Sequence, residues 1–298
     1  MSALDRPPEK PGVAAGAAMA ERLSLCNEVL EPWGFAEQCA HARQLGYRAL
    51  EVAPYTLAED PSTITDAQAA QWAAIARDHD IAISGLHWLL VAPAGLSISN
   101  PDATVQRRTA ALIERLIDLC ARLGGRYLVH GSPAQRDPLP GQSPQDALAR
   151  ATDAWVAAGQ YAQAAGVTYC IEPLGRAQTR VVNTVAEAAA IVSAAGLPGL
   201  RTMLDTSSAG ATEAEPLPDL IDRWWPSGLL AHVQLNDRNR QAPGQGDDRF
   251  GPILAALARH GYDGWLAVEP FDYRPDGPGC AAFAAGYLRG LLEPGRAG

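Results

Sequence analysis

One pattern governs the chain from Leu23 onward: a short apolar run, a turn, an amphipathic stretch of helical period, then the next apolar run. Runs of this length, bounded by turn residues and each followed by a 3.6-residue periodicity, read as strand–helix units. The strands are expected at 23–30, 49–54, 81–90, 127–131, 167–174, 200–206, 229–236 and 265–271. The helices are expected at 33–45, 66–79, 103–123, 145–165, 185–195, 218–225, 250–260 and 279–292. Gly46, Gly124 and Gly261 sit where three of these helices must stop, and Thr184 is placed to cap a fourth. Eight such units with no interdomain linker predict a single α/β domain over residues 22–298, a closed (β/α)8 TIM barrel. A doubly wound sheet would instead want a Gly-rich phosphate loop after an early strand. The chain has no G-x-G-x-x-G and no P-loop, and Gly124-Gly125 precedes a strand. In a barrel, chemistry belongs at the C-terminal ends of the strands.

The remaining composition narrows the setting. Residues 1–21 are rich in Ala, Pro and Gly but lack the apolar core of a secretory signal, and are expected to be a disordered leader. A net charge of −9 leaves no basic stripe for phosphates, so a nucleic-acid partner is not expected. No apolar run approaches the length needed to cross a bilayer, so no membrane role is expected either. The five cysteines, Cys26, Cys39, Cys120, Cys170 and Cys280, are dispersed and odd in number. That usage fits reduced thiols and a cytoplasmic location.

Polar residues then mark the strand ends. On the seventh strand His232, Gln234 and Asn236 share one face, which is costly in a buried strand unless they are hydrogen-bonded or ligate something. The other strand ends carry Glu51, His87 with Trp88, His130, Glu172, Asp205 and Glu269. Glu172, Asp205, Gln234 and Glu269 come from consecutive strands at nearly equal intervals, so one strand–helix unit per residue brings them to one point. Three clustered carboxylates cannot all stay ionised without a cation. Oxygen donors favour a hard divalent ion, Mn²⁺ first, with Mg²⁺ or Co²⁺ as alternatives.

The segments Ile171-Glu172-Pro173, Val182-Asn183-Thr184, Leu204-Asp205-Thr206, His232-Val233-Gln234, Asn239-Arg240 with Pro243-Gly244, and Val268-Glu269 resemble the xylose isomerase-like TIM-barrel family of sugar isomerases and epimerases. The opening Cys26-Asn27-Glu28-Val29 and the stretch Gly46 to Tyr55 resemble its hydroxypyruvate isomerase branch. The resemblance implies metal ligation by Glu172, Asp205, Gln234 and Glu269, where the ketose 3-epimerases carry Glu, Asp, His and Glu. Gln at the third position is similar to the hydroxypyruvate isomerases. A second Glu that grips the sugar in the epimerases falls on Gln178, and a His falls on Ser208, whereas the substrate-holding Arg is retained as Arg240. The implied chemistry is metal-dependent epimerisation or isomerisation of a small keto sugar or hydroxy-carbonyl compound. It runs through an enediolate, with Glu172 and Glu269 as the acid–base pair.

His87, His130, His232, Glu51, Trp88 and Arg240 are the expected substrate contacts, and a homo-oligomer, dimer or tetramer, is the expected assembly. Three rival readings stay open: a lyase of the same fold that dehydrates an inosose or a dehydroshikimate-type acid, an endonuclease IV-like hydrolase, and a sugar-binding protein without catalysis. The hydrolase would need several metals, further His ligands and a basic groove.

Overall fold

The computed structural model describes residues 10–293. Eight parallel strands pair in sequence order and close into a barrel: β1 (Leu23–Cys26), β2 (Ala49–Val52), β3 (Ala82–Leu86), β4 (Tyr127–His130), β5 (Thr168–Ile171), β6 (Leu200–Asp205), β7 (Leu230–Leu235) and β8 (Leu266–Val268). Helices α2 (Phe35–Leu45), α3 (Asp66–Asp78), α4 (Ala103–Leu123), α5 (Pro144–Ala165), α6 (Val185–Ala195), α8 (Leu217–Trp224), α9 (Phe250–Arg259) and α10 (Gly277–Leu292) supply the crossovers and the outer ring. The expected TIM barrel is the observed one. Among the described residues no helix is long and apolar enough to cross a membrane.

Sequence chemistry explains the helices. In α4 the side chain of Asp102 accepts from Thr104 N and Val105 N, and Gly124 closes the helix at φ 81°, a conformation that favours glycine. Leu112, Ile113, Leu116, Ile117 and Cys120 form its buried face. Each such aliphatic side chain contributes about 1.5–3 kcal/mol of burial. Thr184 caps α6 as expected, accepting from Glu187 N.

Side-chain alternation divides the strands between two compartments. Tyr127 and Val129 of β4 meet Cys170 and Met203 inside the barrel, while Leu128, Ile171, Leu204 and Val233 join the core beneath the helices. The strands are shorter than their apolar runs. Pairing of β1 with β2 ends at Cys26 opposite Glu51, after which Asn27–Leu30 forms a 3-10 turn. Likewise β5 stops at Ile171 and β8 at Val268. The ladder ends where polar residues begin, which leaves Glu172 and Glu269 one residue beyond it, at the mouth.

Two elements differ from expectation. The leader is not wholly without structure: Val13–Ala20 forms helix α1, with Met19 and Ala20 buried. Gly16 allows this, since a Cβ there would overlap the carbonyl of Leu292 in α10. An Ala-rich segment helps little in isolation, but it becomes helical once α10 offers it an apolar face. The leader's residues 1–9 lie outside the described residues. The second difference is a short helix, α7 (Thr206–Thr212), immediately after β6, with Asp205 as its N-cap.

Candidate metal centre

At the C-terminal mouth, carboxylate oxygens of Glu172, Asp205 and Glu269 all lie within 4.8 Å of one another, and all three residues are buried. Gln234 is paired in register with Asp205 on the neighbouring strand. Its Nε2 donates to Glu51 Oε1 at 2.7 Å, and its Oε1 has no partner. The amide is thus held by its nitrogen and offers its oxygen. Asp205 is fixed from two sides: Ser208 N donates to Oδ1 at 2.6 Å, and Asn236 Nδ2 to Oδ2 at 2.7 Å. Asn236 also donates to the carbonyl of Glu269 at 3.0 Å, so one amide ties β6, β7 and β8 together beneath the cluster. Glu172 takes its position against Gly131, where a Cβ would overlap its Oε2 and displace the carboxylate.

The electrostatics favour taking up positive charge, as protons or as a cation. Burial, then the charges of Asp205 and Glu269, push the Glu172 carboxyl well above its usual range. Burial raises Asp205 against the hydrogen bonds from Ser208 and Asn236, and pushes Glu269 up to about 8 against the pull of His87. Glu269 Oε2, like Gln234 Oε1, is buried without a partner. Native interiors rarely leave such atoms unmatched. Three crowded carboxylates and a free amide oxygen fit a hard divalent ion, supplied by Glu172, Asp205, Gln234 and Glu269.

A second network lies against and below this cluster. His87 Nδ1 is hydrogen-bonded to Glu269 Oε1 at 2.9 Å, and its Nε2 is 3.0 Å from Glu28 Oε2. Burial opposes protonation of His87, but Glu28 and Glu269 outweigh it and hold its pKa well above the ordinary value. Glu51 is fully buried, with Tyr127 donating to Oε2 at 2.5 Å and His232 Nε2 2.8 Å from the same oxygen. Burial would raise its pKa, yet His232, His87 and Tyr127 together hold it at about 2. The ring of His232 stacks on Tyr127 at 3.9 Å.

The sequence-derived residues therefore sort by position. A small cavity is lined by His87, Trp88, Gly131, Pro133, Glu172, Leu174, Gln178, Glu269 and Phe271. Trp88 adopts φ 49°, unusual for a bulky side chain, and meets Phe271 edge-on at the rim. Arg240 lies outside that lining, exposed, with its guanidinium 4.4 Å over the Phe271 ring and its charge felt by Asp205. Glu51 and His232 do not line the cavity; they brace it from below. His130 does not join the site. It shares the outer face of β4 with Leu128, where Trp155 Nε1 and Tyr169 Oη lie 3.2 and 2.7 Å from its Nδ1. Burial and Arg136 keep it neutral.

Three contributors were not singled out as site residues in the sequence: Glu28, Gly131 and Arg136. Arg136, fully buried, donates to the carbonyls of His130 and Glu172 and so clamps the ends of β4 and β5. A loop arginine among prolines gives no periodic signal, whereas the polar alternation of β7 did flag Asn236.

Comparison with known proteins agrees with the fold. The sequence model of a family described as Xylose isomerase-like TIM barrel matches residues 39–291. A D-psicose 3-epimerase of Agrobacterium fabrum is 30% identical over 235 residues, 76% of this chain and 76% of that protein. An L-ribulose 3-epimerase of Mesorhizobium japonicum is 29% identical over 180 residues, 60% of this chain and 59% of that protein. A crystal structure of D-psicose 3-epimerase in the presence of D-fructose superposes with a TM-score of 0.78 at 23% identity, covering 92% of this chain and 100% of that one. At that identity the superposition speaks for the fold.

Proposed function

The chain belongs to the xylose isomerase-like TIM-barrel family, and from that premise we propose that it is a divalent-metal-dependent epimerase or isomerase of a small keto sugar or related hydroxy-carbonyl compound. The observation that carries this reading is the pairing of three converging carboxylates with two buried, unpartnered oxygens, Gln234 Oε1 and Glu269 Oε2. When held by Glu172, Asp205, Gln234 and Glu269, a Mn²⁺-type ion would polarise a carbonyl and stabilise the negative charge that develops when the neighbouring C–H proton leaves.

The chain's own residues supply the rest. Glu172 and Glu269 leave β5 and β8, three strands apart round the barrel, and so approach a substrate from different sides. One carboxylate removes the proton α to the carbonyl, giving an enediolate, and the other returns it. Return to the same carbon from the opposite face inverts that centre; return to the adjacent carbon moves the carbonyl. The 3-epimerase names of the two relatives favour inversion. His87 fixes Glu269 through Oε1 and leaves Oε2 for the proton or the ion. Trp88, Leu174 and Phe271 give the cavity an apolar rim that excludes water from the reacting carbon.

Gln178, in the lining, holds its Oε1 against Gly175 N and Ser208 Oγ at 3.0 and 3.4 Å, a neutral pair suited to hydroxyl groups. The test is a ketose panel in D₂O with Mn²⁺, read by NMR for deuterium at the exchanged carbon. The wild type is expected to incorporate label, and Glu269→Gln to lose about a hundredfold or more of the rate. Wild-type exchange in that variant would remove Glu269 from the acid–base pair.

A further inference from the structure

A second group of potential ligands stands beside the first. Sγ of Cys26, a carboxylate oxygen of Glu28, a ring nitrogen of His87 and a carboxylate oxygen of Glu269 all lie within 4.8 Å of one another, and all four residues are buried. They come from the end of β1, the 3-10 turn after it, and the residues just beyond β3 and β8.

His87 lies between two carboxylates of this group. His87 Nδ1 and Glu269 Oε1, at 2.9 Å, form a hydrogen bond. His87 Nε2 and Glu28 Oε2 are 3.0 Å apart, an ion-pair distance, while Glu28 Oε1 is buried with no partner. A cation in place of the proton between them would keep both groups as ligands and face the unmatched Glu28 carboxylate. Glu28 is only 6% exposed, so water does not readily satisfy its oxygens.

We propose that Cys26, Glu28 and His87 Nε2 form a second cation site, distinct from the Glu172–Asp205–Gln234–Glu269 centre and selective for a Zn²⁺-type ion. A sulfur, an imidazole nitrogen and a carboxylate make a borderline-soft set that suits Zn²⁺ or Co²⁺ and disfavours Mn²⁺ and Mg²⁺. Tetrahedral ligation at the usual Zn–ligand lengths puts ligand atoms about 3.4–3.8 Å apart, inside the 4.8 Å that bounds this group. Glu269 then acts on both centres. Its Oε1 orients His87 through the Nδ1 hydrogen bond, as carboxylates commonly do behind a ligating histidine, while Oε2 remains for the first ion. Three protein ligands leave a fourth position open. The ion takes the place of the proton on His87 Nε2, and of the thiol proton on Cys26, releasing both to solvent.

The experiment is a Co²⁺ titration of chelator-stripped full-length protein, followed by elemental analysis and by the near-ultraviolet absorption of a cobalt–thiolate bond. Wild type is expected to bind about two ions per chain and to show the thiolate band. Zn²⁺ abolishes that band by displacement, and excess Mn²⁺ does not. Cys26→Ser removes the band and about one ion, and Glu28→Gln weakens the same ion about tenfold or more. Asp205→Asn removes the other ion and leaves the band, so failure of the first centre is read separately from failure of the second. Circular dichroism verifies that each variant is folded. A single equivalent in the wild type, no thiolate band, or a band that survives Cys26→Ser would overturn the proposal.

Discussion

Two layers of buried charge in the same barrel behave in opposite ways. In the lower layer, the oxygens of Glu51 are met by Gln234, Tyr127 and His232, and the carboxyl is held at about 2. In the upper layer, Glu172, Asp205 and Glu269 face one another, two oxygens of the site have no partner, and the carboxyls are raised by burial. The Glu51 carboxylate is matched within the protein, and it contributes structure. The upper layer keeps unmatched oxygens, as a binding site does and a core does not.

The comparison breaks most severely at Glu51. Glu51→Gln removes a paired buried charge and leaves His232 facing a neutral amide, so it is expected to destabilise by about 3–5 kcal/mol, measured by urea unfolding. A change below about 1 kcal/mol would mean that the lower layer is not the support described. Gly131→Ala is next. Its methyl group would displace Glu172 without touching the lower layer, so turnover should fall about a hundredfold while the unfolding midpoint moves little. Equal loss of stability and turnover would show that the methyl group disturbs the barrel rather than one carboxylate.

The two layers also carry opposite pH dependence. Glu51 has a folded pKa below its unfolded value, so its stabilisation is present above about pH 4.5 and is lost as pH falls towards about 2. Glu269 has a folded pKa raised to about 8, so in metal-free protein stability declines as pH rises from about 4.5 towards 8. His87, also raised, contributes stability that is full below its unfolded value and lost as pH rises through its folded value. Metal-free protein is therefore expected to be more stable near pH 5 than near pH 8, by on the order of 2 kcal/mol, and Mn²⁺ should reduce that difference. A curve that rises from pH 5 to pH 8 without metal would reverse the assignment of the layers.

The barrel and the upper layer were legible in the sequence for the same reason. Periodicity exposes eight strand–helix units, and a carboxylate at an apolar strand's end stands out against its neighbours, as Glu172, Asp205 and Glu269 do. What links distant residues was not legible. Gln234 depends on Glu51, 183 positions away, to turn its amide oxygen free. The facing of His130 follows from β4 placing Tyr127 and Val129 inside the barrel, and a shift of one residue would have turned the histidine inward. Glu28 sits in a turn whose conformation appears only once β1 has ended. The helix α1 needed α10 before its Ala-rich sequence had a face to bury.

The central claim is that the upper layer is built to hold one hard divalent ion, and calorimetric titration of Mn²⁺ into chelator-stripped protein tests it most directly. Wild type is expected to bind one Mn²⁺ per chain with proton release at pH 7, and Asp205→Asn to bind at least tenfold more weakly. Mn²⁺ binding that is absent in the wild type, or unchanged in Asp205→Asn, would contradict it.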